Sequence, residues 1–145
     1  VKTNEDKSHI IKQKVIIPAT PEQVYEAFVN PKKHSEFTGS KATGKPNVGG
    51  KFTAWEGYIF GKHLELEPGK RIVQEWTTTD WPENYPPSKL ELTLRETPKG
   101  TEITMVHWNV PEEQQNELAE GWTEFYWVPM KKYFSKQSTG TGDKT

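Results

Sequence analysis

The chain has 145 residues, a formal net charge of −1 and no cysteine. That length suits one domain with a real core, and the missing cysteine excludes disulfides, thiol catalysis and Cys-based zinc sites. Arg71 and Arg95 are the only arginines, whereas nucleic-acid surfaces use a basic excess with arginine forks. The start, VKTNEDKSHIIKQK, has no apolar run like the core of a signal peptide, and no stretch reaches the roughly 18 apolar residues that span a bilayer. The expectation is a cytoplasmic protein with no nucleic-acid partner and no membrane insertion.

Residues 1–8 and 137–145 (QSTGTGDKT) are small, charged or hydroxylic, so they are expected to be disordered tails flanking a single domain at 9–136. Residues 9–17, HIIKQKVII, predict a strand with Ile11, Val15 and Ile17 on one face. In PATPEQVYEAFVNP, Thr20 suits an N-cap, Pro21 the first helical position, and Gln23 completes a capping box. Val24, Ala27 and Phe28 then share one helix face, and Pro31 ends the run. KKHSEFTG predicts a second short helix ending at Gly39.

From 40 to 109 the pattern changes to strands and turns. GGKFTAWEGYIFG predicts a hairpin turning near Glu56-Gly57. KHLELEPGKRIVQEWTT predicts another at Pro68-Gly69, with Leu64 and Leu66 on one face. In SKLELTLRETPKGTEITMVHW, Leu90, Leu92 and Leu94 alternate with polar residues, Pro98-Lys99-Gly100 turn, and Ile103, Met105 and His107 return on one parity. Connections this short force antiparallel pairing. The last element opens at NVPEEQQNELAEGW, with Asn109 or Val110 as cap and Pro111 in the first turn. Glutamates early and lysines late complement the macrodipole of one long helix, bent at Gly121 and Pro129. The fold class is therefore α+β, with a curved antiparallel sheet of about six strands wrapped around a long C-terminal helix, and two short helices after the first strand.

The segment GWTEFYWVPMKKYF concentrates aromatic rings in that helix. At about 100° per residue, Leu118, Trp122, Phe125, Tyr126, Pro129 and Tyr133 share a face, and Trp127, Met130 and Phe134 widen it to roughly 200°. A helix on one sheet needs a stripe only somewhat over 100° wide. The rings are therefore either plain core or partly the wall of an apolar cavity. Pro129 offers no N–H and crowds the preceding turn, so a kink is expected there.

His107 shares parity with Ile103 and Met105, so it reads either as a polar hook for a ligand or as a core-edge histidine bonded to backbone or water. His9, His34 and His63 show no ligand spacing, and no metal site is expected. Glu75 beside Trp76 is the best place for a carboxylate in apolar surroundings, though the reading favours Trp76 inward and Glu75 solvated. The loop TTTDWPENYPP (77–87) offers Trp81 and Tyr85 as a cavity mouth or partner surface, or as a stiff cover over the sheet's open end. No nucleophile elbow, phosphate loop or dinucleotide fingerprint is present.

Several of these stretches have a familiar combination: Gly57-x-x-x-Gly61 in a hairpin, the RIVQEW strand, the Trp81-Pro82 loop, and Gly121-Trp122 opening an aromatic helix. From about Ile10 to Phe134 the chain resembles the C-terminal domain of the activator of heat-shock-protein-90 ATPase family, within the START-like helix-grip superfamily. The resemblance implies a helix-grip fold, no cofactor, and a binding role. One form of that role is a small apolar ligand held by Phe28, Phe37, Trp55, Trp76, His107, Trp122, Tyr126 and Met130. Another is a co-chaperone that docks on heat shock protein 90 and modulates its ATPase. A third, cyclase- or hydrolase-like chemistry in the cavity, would rest on His107 and Glu75.

Overall fold

The computed structural model describes residues 10–143, so the tail expected at 1–8 lies outside the described residues. Seven strands form one antiparallel sheet: β1 (Ile11–Ile17), β2 (Thr43–Gly44), β3 (Lys51–Ala54), β4 (Ile59–Glu67), β5 (Arg71–Thr78), β6 (Ser88–Thr97) and β7 (Gly100–Trp108). Their order across the sheet is β1-β7-β6-β5-β4-β3-β2. After β2 the strands form a meander of hairpins, and β1 closes onto β7. The strand beyond the expected six is the two-residue β2, too short for any periodicity to reveal.

Between β1 and β2 lie α1 (Pro21–Val29) and α2 (Pro31–Thr38). Thr20 caps α1 in a complete capping box with Gln23. Asn30 then caps α2, its Oδ1 accepting from the N–H groups of Lys32 and Lys33. Gly39 ends α2 at φ 78°, the left-handed position where a side chain is disfavoured. Thr20, Pro21, Pro31 and Gly39 thus bound these helices as expected.

The sheet's inner face carries Ile11, Ile17, Ile72, Trp76, Leu90, Leu92, Leu94, Ile103 and Met105 in one core with Phe28 and Phe37. One parity reading changes and one holds. Leu64 and Leu66 do not share a face: a bulge lies between His63 and Glu65, leaving Leu64 exposed while Leu66 packs on the core. An extra residue in one strand reverses the in–out alternation beyond it. On β5, Ile72, Gln74 and Trp76 are all buried and Glu75 is half-buried, the arrangement the sequence favoured.

The final helix also departs from one uniform α-helix. Neither Asn109 nor Val110 caps it; Asn109 turns the chain at φ 63°, and a 3₁₀ turn, Glu112–Gln114, comes first. There follow α3 (Gln115–Gly121), a π-helical segment (Trp122–Trp127) and α4 (Val128–Asp143). The last of these runs on to Asp143. In the π segment the Val128 N–H bonds the carbonyl of Thr123, five residues back. Bends were expected at Gly121 and Pro129; the irregularity present is this wide turn between them, ending two residues before the proline that cannot donate.

Gly61 pairs with Trp76 across β4 and β5. A Cβ there would collide with the Glu75 carbonyl, so the two strands approach this closely only because position 61 lacks a side chain. Gly61→Ala is expected to destabilise the protein by about 2 kcal/mol, read from the denaturant midpoint; an unchanged midpoint would contradict the packing described.

Candidate functional site

The β3–β4 turn supplies the first wall of the site. Trp55 and Glu56 sit at φ 54° and 56°, a left-handed conformation uncommon for any side chain and an outlier for one as bulky as tryptophan. The N–H groups of Gly57 and Tyr58 bond the carbonyls of Ala54 and Trp55. This tight turn sets the Trp55 indole edge-on to Phe125, with ring centroids 5.5 Å apart.

The facing wall is the final helix. Leu118, Gly121, Trp122 and Phe125 follow i, i+3, i+4 and i+7 spacing, so they share a face. Between the two walls lies a cavity of about 350 Å³. Trp55, Tyr58, Trp76, Trp122, Phe125 and Tyr126 give it six aromatic rings, and Ile59, Leu118, Gly121 and Glu117 complete the lining. Phe125 is 48% and Tyr58 41% exposed, so the cavity opens to solvent beside them. Outside it, the Tyr58 hydroxyl donates to Asp80 at 2.9 Å.

Two buried hydrogen-bond chains fix the deep wall, and donor–acceptor accounting sets their protons. The Trp122 indole N–H can only donate, so Nδ1 of His107, 3.2 Å away, must accept. The proton of His107 is then on Nε2, which donates to Ser88 Oγ at 2.8 Å, and Ser88 donates to the Trp76 carbonyl at 2.6 Å. In the second chain the Phe28 carbonyl can only accept, so Nδ1 of His34 donates to it at 2.9 Å. Nε2 of His34 accepts from the Tyr126 hydroxyl at 3.0 Å, and the Trp55 ring meets the Tyr126 ring edge-on, centroids 6.3 Å apart. The two rings are held in opposite neutral tautomers.

Burial dominates their acidity. Desolvation holds His107 down to about 3. It holds His34 at about 4, against an opposing lift from the Phe28 carbonyl. Burial also pushes the Tyr126 hydroxyl well above the usual phenol range.

Of the eight residues the resemblance implied, Trp55, Trp76, Trp122 and Tyr126 line this one cavity. Phe28 packs behind it, 6.4 Å from the Trp122 ring, and borders a separate void of about 20 Å³ with His34, His63 and Gln74. Phe37 borders a surface depression with Val128, Pro129 and Tyr133. Met130 is wholly buried in the core. His107 lies behind Trp122 with both nitrogens engaged inside the protein, which matches the core-histidine reading more closely than the hook.

Trp81 and Tyr85 do not line the cavity. The Trp81 indole N–H donates to the Pro86 carbonyl, its ring meets Trp76 edge-on at 6.0 Å, and the Tyr85 hydroxyl donates to the Val110 carbonyl. They tie the 79–87 loop to the sheet and to the start of the helical segment. Sequence reasoning missed Tyr58, Ile59 and Glu117 as lining; Glu117 was legible as the residue preceding Leu118 on the same helix arc. It also missed His34, whose exposed-looking neighbours in KKHSEF gave no sign of burial.

Both histidines stay neutral when folded while the unfolded chain takes up protons below pH 6.5. Stability is therefore fully present above that pH and falls as pH drops toward 4, by up to about 1.4 kcal/mol per pH unit for each ring. Urea unfolding between pH 7 and 4.5 should show this slope, and His34→Asn should flatten part of it; an equal slope in the variant would contradict the buried neutral ring.

Comparison with known proteins bears on what such an arrangement belongs to. The family described as "Activator of Hsp90 ATPase homolog 1-like protein" matches residues 18–135. The human "Activator of 90 kDa heat shock protein ATPase homolog 1" is 30% identical over 115 residues, 79% of this chain and 34% of that protein. The Dictyostelium discoideum "Activator of 90 kDa heat shock protein ATPase homolog" is 30% identical over 137 residues, 94% of this chain and 36% of that protein. The chain thus spans about a third of the length of these relatives. The crystal structure of an HSP90 activator from Plasmodium falciparum superposes with a TM-score of 0.77 at 23% identity, covering 88% of this chain and 96% of that one; at that identity it supports the fold alone. On the match over residues 18–135, the chain belongs to the activator of Hsp90 ATPase homolog 1-like family.

Proposed function

We propose that the protein is a non-catalytic binding domain whose ring-lined cavity takes a small apolar ligand. The observation that carries this reading is the 350 Å³ space walled by six aromatic rings, within the size range of small-molecule sites. The π-helical turn supplies Trp122, Phe125 and Tyr126 to that wall, and such turns recur at functional sites. Burying about 300 Å² of apolar ligand surface at ~25 cal/mol/Å² supplies on the order of 7 kcal/mol before the cost of association, which leads to micromolar binding. The case against catalysis is that His34 and His107 have both ring nitrogens engaged in interior hydrogen bonds, leaving neither of these two imidazoles for a substrate. A cytoplasmic location belongs to the same reading; among the described residues no helix is long and apolar enough to cross a membrane.

Gly121 offers a direct test. It is helical at φ −63°, and a Cβ there would meet nothing closer than Phe125 at 3.7 Å. Gly121→Leu should fill the cavity while improving helix propensity by roughly 0.8 kcal/mol. Tryptophan fluorescence titrated with toluene should show saturable quenching in the native protein and none in a folded Gly121→Leu variant. Equal uptake by both would remove the reading.

The names of the relatives favour a second reading, docking on heat shock protein 90. The shared segment is about a third of those proteins, so docking and stimulation need separate readouts. Titrating the chain into the chaperone's ATPase assay should change turnover if docking alone suffices; constant turnover at saturation, with no co-sedimentation, would exclude it.

A further inference from the structure

The cavity's chemistry is more specific than apolar. Its lining contains one acidic side chain, Glu117, and no lysine or arginine. A second carboxylate, Asp80, accepts the hydroxyl of the lining residue Tyr58. Glu117 thus lines the cavity itself, while Asp80 stands beyond the Tyr58 hydroxyl that it binds. Inside, the faces and edges of Trp55, Trp76, Trp122 and Tyr126 stand at mutual angles, from 36° between Trp76 and Trp122 to 82° between Trp55 and Tyr126. Rings so inclined do not make a parallel-walled slot.

Aromatic π faces attract cations, tryptophan most strongly, and the attraction grows where water is excluded. A carboxylate at the mouth adds favourable charge and raises the local concentration of cations. An anion there would meet like charge without a single compensating basic group in the lining. We infer that the preferred ligand is an apolar organic cation, a hydrophobic amine or quaternary ammonium compound, with its charged head among the rings on the side nearest Glu117. This rests on the binding reading above and names the chemistry of its ligand.

Three probes of nearly equal size separate the possibilities: benzyltrimethylammonium, its neutral isostere neopentylbenzene, and the anion phenylacetate. Tryptophan quenching of the full chain should give benzyltrimethylammonium at least about tenfold tighter binding than neopentylbenzene, and no saturable binding of phenylacetate. Glu117 is exposed on α3, so Glu117→Gln should fold normally and reduce the cation's advantage about threefold or more while leaving the neutral probe unchanged. Raising salt should weaken the cation alone. Neopentylbenzene binding as tightly as the cation, or an unchanged cation preference in Glu117→Gln, would overturn this inference and leave the apolar cavity standing. Failure of all three probes to bind would overturn both.

Discussion

The structure depends on how the final helix is bonded to what it covers. Trp122 and Tyr126 are large apolar rings with one polar atom each, and each polar atom meets a buried histidine: Trp122 meets His107 on β7, and Tyr126 meets His34 on α2. A buried polar atom without a partner costs about 1–3 kcal/mol, so these four side chains are committed to one another. Apolar burial alone would let the helix slide or roll on the sheet. Two directional bonds, four residues apart on the helix and reaching different elements, remove that freedom. Gln13 on β1 adds a third anchor, accepting from the Trp127 indole and donating to the Ala119 carbonyl.

The same bonds explain why the deep wall of the cavity is a wall. Ser88 and His107 hold Trp122 from behind, and His34 holds Tyr126, so both rings line the open space in fixed positions. The other side is held differently. Trp55 owes its position to a left-handed turn, whose strain is offset by its contacts with Tyr126 and Phe125. One wall is thus set by hydrogen-bond accounting and the other by backbone geometry, and Phe125 and Tyr58, the exposed rings, stand at the margin between them.

Much of the architecture was legible because its signals are local. The Thr20–Gln23 capping box, the Pro68-Gly69 and Pro98-Gly100 turns and the alternation of Leu90, Leu92 and Leu94 each specify geometry within a few residues. What escaped was non-local or cumulative. The bulge near Leu64 reverses parity without any residue that announces it, and the 3₁₀ and π turns shift the helical phase by less than a sequence window resolves. At the site, Trp55, Trp76, Trp122 and Tyr126 were nameable because large rings on inward faces must meet. His107 and Met130 share those faces yet lie a layer deeper, a distinction of depth that periodicity does not encode. Tyr58, two residues past the turn's centre, depended on a backbone conformation that the sequence left open.

The wide turn from Trp122 to Trp127 has a consequence for reading kindred chains. A π turn accommodates one residue more than an α turn does, so a relative one residue shorter here closes the same span as plain α-helix. Positions beyond the gap then keep the phase that turns Met130 and Phe134 to the sheet. A one-residue gap between kindred chains is therefore absorbed inside this segment. Aligned letters on its far side keep denoting equivalent places in space.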